Sequence, residues 1–121
     1  MLTLPIKKKW YDMILSGEKK EEYREIKPYY MSRFCGMCRA ESHEIRFRNG
    51  YSTQSPSFVA RCMIEQGYGK PEWGAEEGKK YYVLKIMEIV METDVKDQIQ
   101  YADQDTLMPA TYRNNGRQDD G

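Results

Sequence analysis

Near its start this chain carries an apolar stripe of helical period that runs into a glycine and then into a cluster of opposite charges. Ile6, Trp10, Met13 and Ile14 recur at i, i+4, i+7 and i+8, the spacing of one buried helix face. Pro5 suits the first turn of such a helix, where its missing N–H is not needed. Lys7, Lys8, Lys9 and Asp12 fall on the opposite side, and Gly17 stands where a left-handed cap would close the last turn. The spacing therefore predicts a helix over residues 5–16. From Lys20 the residues suit an extended segment that ends before Pro28, because the ring of a proline disfavours helix at the residue before it. On a strand Glu22 and Arg24 share one face with Lys20 and Ile26, and Tyr23 takes the other. Lys19, at the corner between helix and strand, is free to swing to either side.

The rest of the chain is rich in strand signals. Pro28 opens a short apolar turn in which Tyr30 and Phe34 are four residues apart. Residues 44–48 alternate, with Ile45 and Phe47 inward and Arg46 and Arg48 outward, and Asn49-Gly50 follows as a turn. Residues 51–57, rich in serine and containing Pro56, read as a loop. Strands are expected over residues 58–65 and 80–92, with a glycine-rich loop between them that carries Tyr68 and Trp73. The predicted core is Trp10, Ile14, Tyr23, Ile45, Phe47, Val59, Val83 and Ile86. Residues 94–121 are polar and read as an extension to a domain formed by residues 1–93, partly mobile in the absence of a partner.

A length of 121 residues supports one core. With a net charge of zero, binding of nucleic acid by bulk charge is excluded, so any basic site must be local, made by grouping arginines and lysines on one surface. No apolar run approaches a membrane span, no secretory leader is apparent, and three cysteines, an odd number, fit a reducing compartment. The expectation is a cytoplasmic protein that does not enter membranes.

The octet itself, written Gly17-x-Lys19-x-x-Glu22-x-Arg24, resembles the signature of the ASCH domain family, a branch of the PUA-like superfamily, in its small stand-alone bacterial or phage form. The order of elements is similar too: an opening strand, a helix, the motif strand, a short helix near residues 29–34 and further strands. The likeness thins out after Glu92. The resemblance implies an α+β fold, a PUA-like mixed β-barrel of about five or six strands flanked by short helices. It also implies a role with RNA or nucleotides in a cleft beside the motif.

Two classes of function compete. In a binding module Lys19 and Arg24 hold phosphate, and Glu22 orients them or accepts from a base amino group. Arg46 and Arg48 extend this into a basic wall if their strand neighbours the motif strand, and Tyr51, Tyr68 and Trp73 offer stacking surfaces. The ligand expected is single-stranded RNA, a nucleoside or a nucleotide. In the alternative that the resemblance also implies, a small hydrolase (a ribonuclease, or an amidohydrolase on a modified nucleoside), Lys19 and Glu22 are the catalytic pair. The amidohydrolase branch of the family carries a threonine nucleophile three residues after the motif lysine. Glu22 occupies that position here, which puts acylated cytidine in doubt as a substrate, and Thr53 is only a loop residue. Binding is the reading preferred, and Glu22→Ala is then expected to weaken it without unfolding the domain.

No cofactor is expected, and no metal. Cys35 and Cys38 have the spacing of a metal knuckle, and His43 with Cys62 would complete four zinc ligands. Those two stand at no recognised spacing, so free or partly buried thiols are the expected state.

Overall fold

A computed structural model describes residues 1–38 and 41–93; the expectations for residues 94–121 lie outside the described part. Five strands and two short helices follow one another as β1 (Leu2–Ile6), α1 (Lys8–Leu15), β2 (Glu21–Glu25), α2 (Pro28–Arg33), β3 (His43–Asn49), β4 (Ser57–Tyr68) and β5 (Lys80–Thr93). A single 3-10 turn, Pro71–Trp73, lies between the last two strands. One sheet contains all five strands in the order β1-β3-β4-β5-β2. It is mixed: β1 runs parallel to β3, whereas β3 with β4 and β2 with β5 are antiparallel. The sheet curls into a half-barrel, as the α+β expectation of about five or six mixed strands requires at its coarser level.

The main unit comprises Met1–Tyr51 and Ser57–Glu92. Between these stretches, Ser52–Pro56 belongs to a second unit and forms a turn in which the Ser55 N–H donates to the Ser52 carbonyl.

Strand alternation builds the core. Leu4 and Ile6 of β1, Ile45 and Phe47 of β3, Phe58, Ala60, Cys62 and Ile64 of β4, and Tyr82 and Leu84 of β5 point inward together. Tyr11 and Ile14 of α1 and Phe34 beyond α2 close over them. Of the predicted core, Ile14, Ile45, Phe47, Val59 and Val83 are buried, while Trp10, Tyr23 and Ile86 are only half-buried. Val59 and Val83 are buried on the other face of the sheet, outside that main cluster.

One element differs from the sequence reading at its start. Pro5 lies in β1 opposite Arg48, not in the first turn of the helix. β1 is an edge strand, where a residue without an N–H leaves no ladder bond unmade. Leu4 and Ile6 are buried at spacing two, and that alternation took Ile6 from the helical stripe. The helix begins only at Lys8. Among the described residues no helix is long and apolar enough to cross a membrane.

Candidate functional site

The motif is positioned by the way α1 ends. Gly17 adopts φ +87°, a left-handed turn that suits a residue with no Cβ. Past it the Lys19 N–H returns to the Met13 carbonyl at 2.9 Å. This reversal turns the Lys19 side chain inward, so that only 1% of the residue is exposed. A lysine survives such burial only with partners. Its Nζ donates to the Trp73 carbonyl at 2.6 Å and lies 3.3 Å from Glu22 Oε1. The ammonium also stands 4.6 Å from the Trp10 ring centre and 4.9 Å from that of Tyr23, within cation–π range. Burial pulls the Lys19 pKa below its ordinary value, and the Glu22 charge opposes that shift.

Glu22 and Arg24 share a face, as alternation along β2 predicts. Opposite them on β5 are Leu84 and Tyr82, both part of the core cluster, so the two charged side chains point into the concave side of the sheet. Glu22 Oε2 accepts from Arg24 Nη2 at 2.8 Å. The same Nη2 donates to the Pro5 carbonyl at 2.8 Å, and Nη1 donates to the Tyr30 hydroxyl at 3.1 Å. Since β1 and β2 are the two edges of the sheet, Arg24 ties one edge to the other through its guanidinium. Lys19, Glu22 and Arg24 thus form a continuous buried chain of alternating charge. Arg24 Nε is buried without a partner among the described residues.

A cleft of about 560 Å³ opens over this chain. Glu22 and Arg24 line it together with Lys7, Lys8, Lys27 and Glu25, the aromatic residues Trp10, Tyr23, Tyr30, Tyr51 and Tyr81, and the Asn49-Gly50 turn. Tyr51 is 90% exposed. Of the rim cations, Lys8 pairs with Asp12 at 2.6 Å and Lys27 with Glu25 at 3.3 Å. Glu25 also accepts from Lys79 at 2.8 Å, and these two lysines, Lys79 foremost, hold its carboxyl below the usual range.

The residues named from sequence divide. Glu22, Arg24 and Tyr51 meet at the cleft, and Lys19 is buried behind Glu22 without lining it. Arg46 and Arg48 stand on the face of β3 opposite Ile45 and Phe47, hence opposite the concave side where Glu22 and Arg24 point. β3 is also separated from β2 by two strands, so no basic wall with Arg24 forms. Arg46 instead donates to the Ser57 hydroxyl at 2.8 Å. Tyr68 ends β4 and is exposed away from the cleft lining, and Trp73 offers its backbone carbonyl to Lys19. Lys7, Lys8, Lys27, Tyr30 and Tyr81 were not anticipated. For the three lysines the available signal was their place at the β1–α1 junction and just after β2, where a charge reads equally well as a solvated one; Tyr30 in α2 and Tyr81 in β5 carry no local signal that separates a site residue from a packed one.

Of the four candidate zinc ligands, His43 and Cys62 are neighbours, and Cys35 and Cys38 lie in a different, exposed setting. Cys62 is fully buried in the core, where burial pushes its thiol up to about 12, whereas Cys35 and Cys38 are exposed on the turn after α2. His43 lies opposite Cys62 across the β3–β4 ladder. No three His, Cys, Asp or Glu side chains come together as a metal site among the described residues.

Comparison of the chain with protein-family models, curated proteins and solved structures gives no significant match.

Proposed function

We propose that this protein binds single-stranded RNA or a nucleotide in the cleft above Glu22 and Arg24, and that its curled sheet is a PUA-like barrel of the ASCH type. One observation carries the reading: a concave site of about 560 Å³ whose lining includes five aromatic residues and four cations beside two carboxylates, the buried Glu22 and the exposed Glu25. Rings supply stacking surfaces for bases, the rim lysines supply charge for phosphates, and the volume falls in the ordinary range for small-ligand sites. The resemblance of Gly17-x-Lys19-x-x-Glu22-x-Arg24 to the ASCH signature supports the same class of ligand, and a cytoplasmic setting fits it. Binding is favoured over hydrolysis because Lys19, the proton carrier a hydrolase would use, is sealed behind Glu22 and bonded to a backbone carbonyl.

Fluorescence anisotropy with short single-stranded RNAs tests the proposal. Tyr51→Ala should weaken binding by about 1–3 kcal/mol, the contribution of one stacked base, whereas Tyr68→Ala should leave it unchanged. Equal losses from the two variants would place the ligand elsewhere. Multiple-turnover cleavage or deacylation abolished by Lys19→Met in a folded variant would establish the hydrolase instead.

A further inference from the structure

Resting on the reading of the cleft as a nucleotide site, we infer that its floor selects guanine. The polar groups offered there are unequal. Arg24 has committed both N–H groups of Nη2, to Pro5 and Glu22, and one of Nη1 to Tyr30, and its unpartnered Nε is fully buried, which leaves a single Nη1 N–H. Glu22 is different. A carboxylate only accepts, through two oxygens with two lone pairs each. Lys19 takes one position on Oε1 and Arg24 takes one on Oε2, which leaves one acceptor position on each oxygen. Glu22 lines the cleft although its side chain is only 8% exposed, so what it presents is a small recessed pair of acceptors fixed by a cation on either side.

That pair matches one base edge better than the others. Guanine carries two adjacent donors, N1–H and the 2-amino group, which meet a carboxylate as a parallel pair of hydrogen bonds. Adenine and cytosine each set an acceptor nitrogen beside their amino group, and uracil flanks its single N–H with two carbonyls. Each of these brings a lone pair against a carboxylate oxygen. A phosphate at the floor meets the same repulsion, which directs it to the rim, where Lys7 has no ion-pair partner among the described residues. The guanine ring then has the exposed Tyr51 as a stacking surface.

The test uses the full unmodified chain and calorimetric titration with GMP, IMP, AMP, CMP and UMP. IMP differs from GMP only in lacking the 2-amino donor. GMP should bind tightest, with IMP weaker by at least about tenfold. The same contrast should hold for a single guanosine or inosine inside a short oligouridylate, whose affinity relative to the mononucleotides separates a free-nucleotide site from an RNA site. Equal affinities for GMP and IMP, or a tighter fit of AMP, overturn the guanine assignment and leave the nucleotide reading standing. Binding of none of these mononucleotides or oligomers overturns both. Glu22→Gln replaces one acceptor by a donor, so a folded E22Q protein should lose the GMP-over-IMP preference; retention of that preference also overturns the assignment.

Discussion

Glu22 is the residue on which the charge chain depends, because it faces two buried cations at once. Lys19, Glu22 and Arg24 have side chains only 1%, 8% and 10% exposed, so solvent screens none of them strongly. Removing the central carboxylate leaves two positive charges facing each other in a poorly hydrated site. Glu22→Ala should therefore cost about 3–5 kcal/mol, read as a lowered urea midpoint; a loss within experimental error would mean that water already solvates the three groups. The sequence supported a milder expectation, in which this substitution spared the fold. Alternation along β2 was legible and put Glu22 beside Arg24, but the depth at which they sit depends on the Pro5 carbonyl and the Trp73 carbonyl, which come from distant parts of the chain. Lys19 allows a second test of the same burial. Its folded pKa lies below the unfolded value of 10.5, so within that window the unfolded chain binds more protons and stability rises with pH. Lys19→Met keeps the packing against Trp10 and Tyr23 and removes the titration. The stability of the wild type relative to Lys19→Met should thus increase as pH is raised towards 10.5, and a difference that shrinks over that range would contradict the burial argument.

At the scale of elements, the segment between β4 and β5 is held from beneath by the motif. Lys19 holds the Trp73 carbonyl, the Tyr23 hydroxyl accepts from the Lys70 N–H at 2.9 Å, and the Tyr81 hydroxyl accepts from the Glu76 N–H at 3.0 Å. Gly69 is the point of closest approach. A Cβ added there would lie 2.5 Å from Tyr23 Cζ and 2.7 Å from the Ala75 Cβ, and the Tyr23 ring is fixed by its bonds to Glu21 and Lys70. Gly69→Ala should cost about 1–3 kcal/mol, as overpacking does, with hydrogen exchange accelerating first at Lys70 and Trp73. Unchanged protection at both amides would show that the segment is anchored some other way. From sequence this stretch read only as a glycine-rich loop with aromatics, since nothing local reveals that Tyr23 lies under Gly69. The strands were more legible. β3 was expected over residues 44–48 and β5 over residues 80–92, and they are observed at His43–Asn49 and Lys80–Thr93, because β-branched and alternating residues report burial directly. The opening helix was legible in type but not in its start: Ile6 satisfies both a strand period with Leu4 and a helical one with Trp10, and pairing with β3 decides between them.

For the molecule as a whole, the curled sheet separates its basic residues into two populations that the sequence could not tell apart. Arg24 lies on the concave side and the rim lysines border the cleft there, while Arg46 and Arg48 face away on β3. The parity of each strand was readable; the strand order β1-β3-β4-β5-β2, which sets whether two outward faces meet, was not. This separation gives a direct test of where an RNA backbone runs. Each phosphate neutralised on a single strand releases counterions and steepens the dependence of log affinity on log salt by about 0.7. Lys7, without an ion-pair partner among the described residues, is available to a phosphate without breaking anything, whereas Lys27 must first leave Glu25. Lys7→Ala should therefore weaken binding of a short single-stranded RNA at low salt and flatten the slope by close to one phosphate's share. Lys27→Ala should do the same to a smaller extent. Arg46→Ala and Arg48→Ala, measured in the same titrations, should leave the slope as it is. If instead the two arginine variants flatten it and Lys7→Ala does not, the backbone crosses the outer face of β3, and the cleft above Glu22 is not where the ligand lies.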